Sequence, residues 1–559
     1  MSQACIRSIS SNVMKKCYLS AVKRSKTVLW LLSALSAVLL SIPWLVPRMG
    51  VFSLFGFVPL LCAEYVASRD RVRRFWPWHY FTFVLWNALT TFWVCNATVA
   101  GGIFAVLANA LQMSLVFGMF RLAKKKIGGI LSYAFLAFAW VSWEHWYLAT
   151  SGPSWPWLVL GNAFATTTQY VQWYSITGTL GGSLWIWAVN LGLFGLLVSS
   201  TDGIRMRRRK KSSWFETAAL LAVTLLPPVC SGIMYDSYEE RSESRVEVLV
   251  GQPNIDPYSK FTSMTQAAQT EALLGLLEEA MALHHADLLI APETFTSDVV
   301  LNDIGASPTV RRFVSFLQEN PSADLLFGAA TNEFFATMAP PDLLSYPYGN
   351  GWRKARNSAI LLSPDGRTEV FHKSKLVPGV ELTPWPKLFV PIDDWLSKRI
   401  NGGHPLMARD SGQEEVSLLH LSDGTPFGCA VCYESVFGEY CASYAAKGAS
   451  FIAVITNDSW WGDTPGYKQH MSYSALRAIE LRRDIVRCGN SGISCFIDQR
   501  GDILQRGPWW ESAVLYGTVN TNTEQSFFTR YGDIAGRVSV LSFLLLFALV
   551  LTRMLLPRK

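Results

Sequence analysis

At 559 residues the chain is too long for one ordinary domain. Half of its residues are hydrophobic, 16% are charged and its mean hydropathy is positive, which weighs against a wholly water-soluble protein and suggests membrane spans joined to a soluble part. The formal net charge of +7 resides in short basic loops between apolar runs, so it calls for no nucleic-acid partner.

A bilayer core about 30 Å thick needs roughly 20 apolar residues per helical span. Eight stretches are candidates: 28–46, 49–66, 77–95, 102–122, 127–147, 174–198, 214–234 and 534–551. Lys15, Lys16, Lys23, Arg24 and Lys26 precede the first, and Arg69, Arg71, Arg73 and Arg74 follow the second. Arg121, Lys124, Lys125 and Lys126 follow the fourth, Arg205, Arg207, Arg208, Arg209, Lys210 and Lys211 the sixth, and Arg553, Arg558 and Lys559 the eighth. All these clusters share one side of the membrane if both termini are cytoplasmic, and residues 235–533 then lie on the other side. The expected organisation is a cytoplasmic segment 1–26, seven spans in 27–234, an extracytoplasmic domain 235–533, and an eighth helix with a cytoplasmic tail in 534–559. The first apolar run reads as a retained anchor rather than a cleavable signal peptide. Trp76, Trp78, Trp143, Trp146, Trp155, Trp157 and Trp173 stand at span ends and read as an interfacial belt. Glu144 and His145 in the fifth span read either as functional intramembrane groups or as side chains snorkelling to the interface.

In the soluble part, 245–250 reads as a strand leading into Gln252-Pro253-Asn254, and 263–283 has helical spacing. Asp287 to Ala291 is an apolar strand ending in Pro292-Glu293. A helix over 309–318 and a strand over 324–328 follow. Residues 357–362 and 370–373 read as a hairpin around Pro364-Asp365-Gly366, and 384–391 as an irregular loop. A buried strand ends at Cys432; then come a helix over 439–447, a strand over 451–456, a helix over 465–484, and strands over 485–488, 494–497 and 503–505. Strands alternating with helices predict a layered α/β fold.

A carboxylate (Glu293), an ammonium (Lys373) and a thiol (Cys432) thus occur at three strand ends. A thiol attacks only as thiolate and needs a base or a cation nearby. The external histidines His284, His285, His372, His404, His420 and His470 form no Cys/His motif by themselves. A partly buried Glu293 suits the base, and Lys373 could stabilise an oxyanion. Cys429 and Cys432 have redox-pair or metal-pair spacing, but residues three apart on a strand point to opposite faces. No second Cys or His pair at zinc spacing follows, which favours a buried structural Cys429 beside a reactive Cys432.

In their contexts Ala291-Pro292-Glu293, Phe371-His372-Lys373-Ser374-Lys375-Leu376-Val377-Pro378 and Cys432-Tyr433-Glu434, these residues resemble the Glu-Lys-Cys triad of the nitrilase (carbon–nitrogen hydrolase) superfamily. With eight spans, nearly the whole chain resembles the apolipoprotein N-acyltransferase family. Gln252-Pro253-Asn254-Ile255, Leu376-Val377-Pro378 to Glu381, and Thr456-Asn457-Asp458-Ser459-Trp460-Trp461-Gly462 are similar to stretches of that family. Gly379-Val380 stands where the family has Phe-Gly, and Phe261 where it often has Trp; both are expected to shape the acyl or peptide channel.

The resemblance implies an αββα sandwich on a bundle of eight transmembrane helices, in the inner membrane of a bacterium with the catalytic domain facing the periplasm. It implies transfer of an acyl chain from a phospholipid to a diacylated apolipoprotein. Glu293, Lys373 and Cys432 would be catalytic, Glu381, Tyr433 and Glu434 supporting, and neither metal nor cofactor is required. Two other readings remain at this stage: a membrane-tethered amidase of the same superfamily, and a transporter or receptor whose external domain only binds.

Overall fold

A computed structural model describes residues 26–150, 154–201, 210–258, 260, 263–402 and 404–556. Lys15, Lys16, Lys23, Arg24, Arg205, Arg207, Arg208, Arg209, Phe261, Arg558 and Lys559 lie outside the described residues.

Six helices among the described residues are long and apolar enough to cross a membrane: Lys26–Leu45, Gly50–Arg69, Val99–Lys126, Tyr174–Val198, Trp214–Ser237 and Ile534–Leu555. The stretches expected at 77–95 and 127–147 are also helical, as Trp76–Thr91 and Gly129–Ala149, but they differ from the six. The first is only 16 residues long, and both carry many aromatic and polar side chains. Gly129–Ala149 packs against Ile534–Leu555, so the last helix joins the same bundle as the others.

Glu144 is fully buried and does not snorkel. Its Oε1 accepts from Trp140 Nε1 at 3.1 Å and from the Leu160 N–H at 2.9 Å, tying its helix to the following loop. His145 pairs with Asp533 at 2.6 Å, and Asp533 also caps the last helix through the Gly536 N–H. The tryptophans divide. Trp76 and Trp146 are exposed as a belt requires, whereas Trp157 is buried inside the molecule.

The soluble part is a sandwich of two sheets. One has eight strands, with Arg245–Gln252, Leu288–Ile290 and Asp324–Phe335 parallel at its centre. The other has six strands, with Pro426–Val431, Ile452–Thr456 and Ile485–Gly489 parallel. Side-chain alternation assigns the layers. Val248 and Val250 face the second sheet, while Leu249 turns outward onto Leu273, Leu277 and Phe313 of the covering helices Gln266–Met281 and Pro308–Glu319. Gly438–Ala446 and Pro465–Leu481 cover the other sheet, completing an αββα sandwich.

Helix Pro465–Leu481 joins the two halves of the chain, and every residue from Gly466 to Leu481 except Lys468 is buried. One side rests on the sheet; the other meets the membrane helices and their loops. Gln469 accepts from Trp157 Nε1 at 2.7 Å, Tyr473 accepts from Trp44 Nε1 at 3.0 Å, and Glu480 accepts from the Thr179 N–H at 2.8 Å.

The expected loop over 384–391 is instead the start of a helix, Pro386–Ile400. Pro386 occupies the first turn, where its missing N–H costs nothing. Pro391 costs an interior hydrogen bond, but Leu388, Ile392 and Trp395 recur at helical spacing and form an outward apolar stripe. Four strands were not expected from the sequence, the short Tyr346–Tyr348 and Leu419–His420 among them. Thr296–Val300 pairs with Asp324–Phe335, and Ala513–Asn520 closes the first sheet against Arg245–Gln252.

Candidate active site

The carboxyl ends of the parallel strands converge where the two sheets meet. Leu288–Ile290 delivers Glu293, Pro426–Val431 delivers Cys432, and the hairpin strand Thr368–His372 delivers Lys373. Two residues there hold left-handed backbone that L-residues rarely adopt: Thr294 at φ 47° and Cys432 at φ 52°. Such conformations cost about 1–3 kcal/mol each and persist only where packing enforces them.

Gly328 provides the space for the turn at Glu293. A Cβ there would lie 2.5 Å from Glu293 Cα and 2.6 Å from the Thr294 nitrogen, both backbone atoms that cannot swing aside. Gly328→Ala is therefore expected to cost about 1–3 kcal/mol, read as a lowered Tm of the purified full chain. An unchanged Tm would mean that the turn yields freely.

Lys373 is 1% exposed, and its ammonium is shared by two carboxylates, Glu293 Oε1 at 3.1 Å and Glu381 Oε1 at 2.8 Å. Asn357 Nδ2 donates to the same two groups, at 2.8 and 2.9 Å. Glu293 Oε2 accepts from the Asn457 N–H at 3.1 Å, and Glu381 Oε2 from the Val377 N–H at 2.8 Å. Burial alone would disfavour the Lys373 ammonium, but the charges of Glu293 and Glu381 hold it well above the usual lysine range. The Cys432 thiol is pushed well above its ordinary range, first by burial and then by the Glu293 charge, with Lys373 opposing. Both directions favour the thiol form of Cys432 beside the Lys373 ammonium.

Glu434 clamps the frame. It accepts from the N–H groups of Ser374 (2.6 Å), Lys375 (3.1 Å) and Val431 (2.8 Å) and from Tyr440 Oη (2.7 Å). It thereby ties the chain after Lys373 to the strand before Cys432. Burial raises its carboxyl to about 7 despite these donors. Tyr433 faces the membrane helices: its hydroxyl donates to the Ser154 carbonyl at 3.0 Å, and its ring stacks on Trp155 at 5.9 Å. Trp155, Trp157, Trp93 and Trp461 continue this aromatic wall.

All six site residues expected from the sequence thus meet in one place. Three further neighbours were not singled out. Asn357 is a buried amide within a strand, and Asn457 belongs to a stretch noted only for its resemblance. His470 had no sequence motif, yet its Nε2 lies 3.1 Å from the Cys432 carbonyl oxygen. Cys429, Cys441, Cys488 and Cys495 are buried free thiols. Cys432, Asp458 and His470 bring potential metal-ligand atoms within 4.8 Å of one another. However, the Asp458 oxygens are already bonded by Thr456, His470 and the Arg487 guanidinium, whose charge opposes a cation there.

Residues 249–527 match the carbon-nitrogen hydrolase family, and residues 36–192 match the apolipoprotein N-acyltransferase N-terminal domain. The soluble sandwich is thus of the carbon-nitrogen hydrolase class. An apolipoprotein N-acyltransferase of Chlorobaculum tepidum is 26% identical over 552 residues, spanning 94% of this chain and 97% of that protein. One of Geobacter metallireducens is 28% identical over 530 residues, spanning 90% of this chain and 92% of its own. Among solved structures, Saccharomyces cerevisiae Nit3 of the nitrilase superfamily is 16% identical, with a TM-score of 0.34, over 51% of this chain and 93% of its own. The chain belongs to the apolipoprotein N-acyltransferase family: it is a membrane-bound acyltransferase with a nitrilase-like domain.

Proposed function

We propose that the chain moves an acyl group from a phospholipid to the α-amine of an N-terminal diacylglyceryl-cysteine, through a thioester on Cys432. In the first half, Glu293 accepts the thiol proton as sulfur attacks the ester carbonyl. Lys373 and the Tyr433 N–H stabilise the oxyanion, and the lysophospholipid leaves with the proton held by Glu293. In the second half, Glu293 takes a proton from the incoming amine, nitrogen attacks the thioester, and the thiol leaves with its proton restored. Glu381 and Glu434 hold Lys373 in place. Every step uses groups of this chain, and the double displacement predicts ping-pong kinetics.

The observation that carries this reading is the buried Glu293–Lys373–Glu381 cluster beside the left-handed Cys432, with the aromatic wall of the membrane half against Tyr433. A neutral thiol next to a hydrogen-bonded carboxylate suits general-base attack. Both proposed substrates are lipid-anchored, so the reading has the site face the outer leaflet of the inner membrane, with the catalytic domain in the periplasm, eight spans and cytoplasmic termini.

The test is incubation of purified protein with phospholipid and a diacylated lipopeptide. The expected products are triacylated peptide and lysophospholipid in equal amounts. Free fatty acid without triacylated peptide would make the chain an amidase-like hydrolase. Unaltered lipid and peptide would leave only a binding role.

A further inference from the structure

Asp458 has no role in the scheme above, and nor does His470. His470 is completely buried on helix Pro465–Leu481. Its Nε2 lies 3.1 Å from the Cys432 carbonyl oxygen and 3.1 Å from Ser435 Oγ, and Ser435 Oγ itself donates to that carbonyl at 2.8 Å. A carbonyl oxygen can only accept, so the bond to it uses a hydrogen on Nε2. On the other side of the ring, Nδ1 lies 2.9 Å from Asp458 Oδ1 and 3.1 Å from Arg487 Nη2. Asp458 is in turn fixed by Arg487 at 2.5 Å and Thr456 at 2.7 Å. The rings of Trp157 and Trp461 enclose the imidazole, each at 5.5 Å.

The peptide joining Cys432 to Tyr433 is planar and trans, so its C=O and N–H point to opposite sides. The bond from His470 holds the C=O toward helix Pro465–Leu481, and Ser435, three residues on in the same turn, adds a second, so the Tyr433 N–H faces away from that helix. That peptide turns through ψ of Cys432 and φ of Tyr433, and the bonds from His470 and Ser435 to its C=O oppose the rotation. We infer that His470, held by Asp458 and Arg487, is the positioning residue that aims the Tyr433 N–H at the oxyanion formed during acyl transfer. This rests on the reading of Cys432 as the acyl carrier.

The test separates two reactions of one sulfur. Acylation by phospholipid needs an oxyanion donor; alkylation by iodoacetamide is a direct displacement of iodide and needs none. Purified full chains carrying His470→Gln, which keeps an N–H donor, and His470→Met, of similar size without one, are compared with wild type by intact mass over time. The expected result for His470→Met is acylation slowed about 10²–10³-fold, the usual effect of losing an oxyanion donor, with alkylation within about threefold of wild type. His470→Gln is expected to regain at least about tenfold of that loss, as a restored N–H donor should. Equal acylation in His470→Met and wild type would overturn the inference, and so would parallel loss of acylation and alkylation, which marks a merely structural role. A wild-type chain that alkylates but never acylates would instead overturn the thioester reading itself, and the inference with it.

Discussion

Cys432→Ala is expected to abolish the acyl adduct and to lower transfer by about 10⁴-fold or more, the scale seen when a covalent nucleophile is removed. The fold should survive, because the substitution removes one sulfur from a half-buried position and leaves every hydrogen bond of Glu434 intact. Alanine is no better suited than cysteine to the left-handed backbone, so no large stabilisation should appear either. Intact mass after exposure to phospholipid measures the adduct, and product formation with a diacylated peptide measures transfer. Undiminished transfer by Cys432→Ala would move the chemistry to another group.

The second large effect concerns the buried charge cluster. Lys373→Met would leave Glu293 and Glu381 facing each other without the cation between them, and breaking a buried pair in this way costs about 3–5 kcal/mol. Lys373→Arg keeps the charge, but a planar fork must fit a 1% exposed site built for one ammonium between two oxygens. Both variants are expected to lose acyl transfer by about 10³-fold or more, whereas an ordinary surface lysine tolerates either change within about 0.5 kcal/mol. Glu293→Gln should likewise form no adduct. Near-normal turnover by Lys373→Arg, or full adduct formation by Glu293→Gln, would show that the roles are wrongly assigned. Glu434 is a poor replacement base, because four donors already occupy its oxygens.

The strand ends at Glu293 and Cys432 were legible in the sequence because each follows a short apolar run, a strong local signal of a buried strand, and Lys373 because it closes a hairpin strand after a turn signal. Residues whose importance comes from long-range approach were not. His470 lies 38 positions from Cys432, and Asn357 lies 64 from Glu293; neither separation leaves a pattern in a single chain. The helix Pro386–Ile400 was missed because its two prolines outweighed an apolar repeat at Leu388, Ile392 and Trp395. Glu144 was left between two readings, because a carboxylate near a span end looks the same whether it reaches for water or for the Leu160 N–H.

Helix Pro465–Leu481 sets a limit on dissecting this protein. Tyr473 and Gln469 spend their polar groups on Trp44 and Trp157, and Glu480 spends its own on Thr179. A fragment cut at residues 235 and 533 would bare that surface to solvent, strand those partners and strip Trp155 from Tyr433. The catalytic half is therefore not a detachable module. Its hydrophobic flank finds a complement only in the bundle beneath, so proteolytic release should yield aggregate rather than a working enzyme.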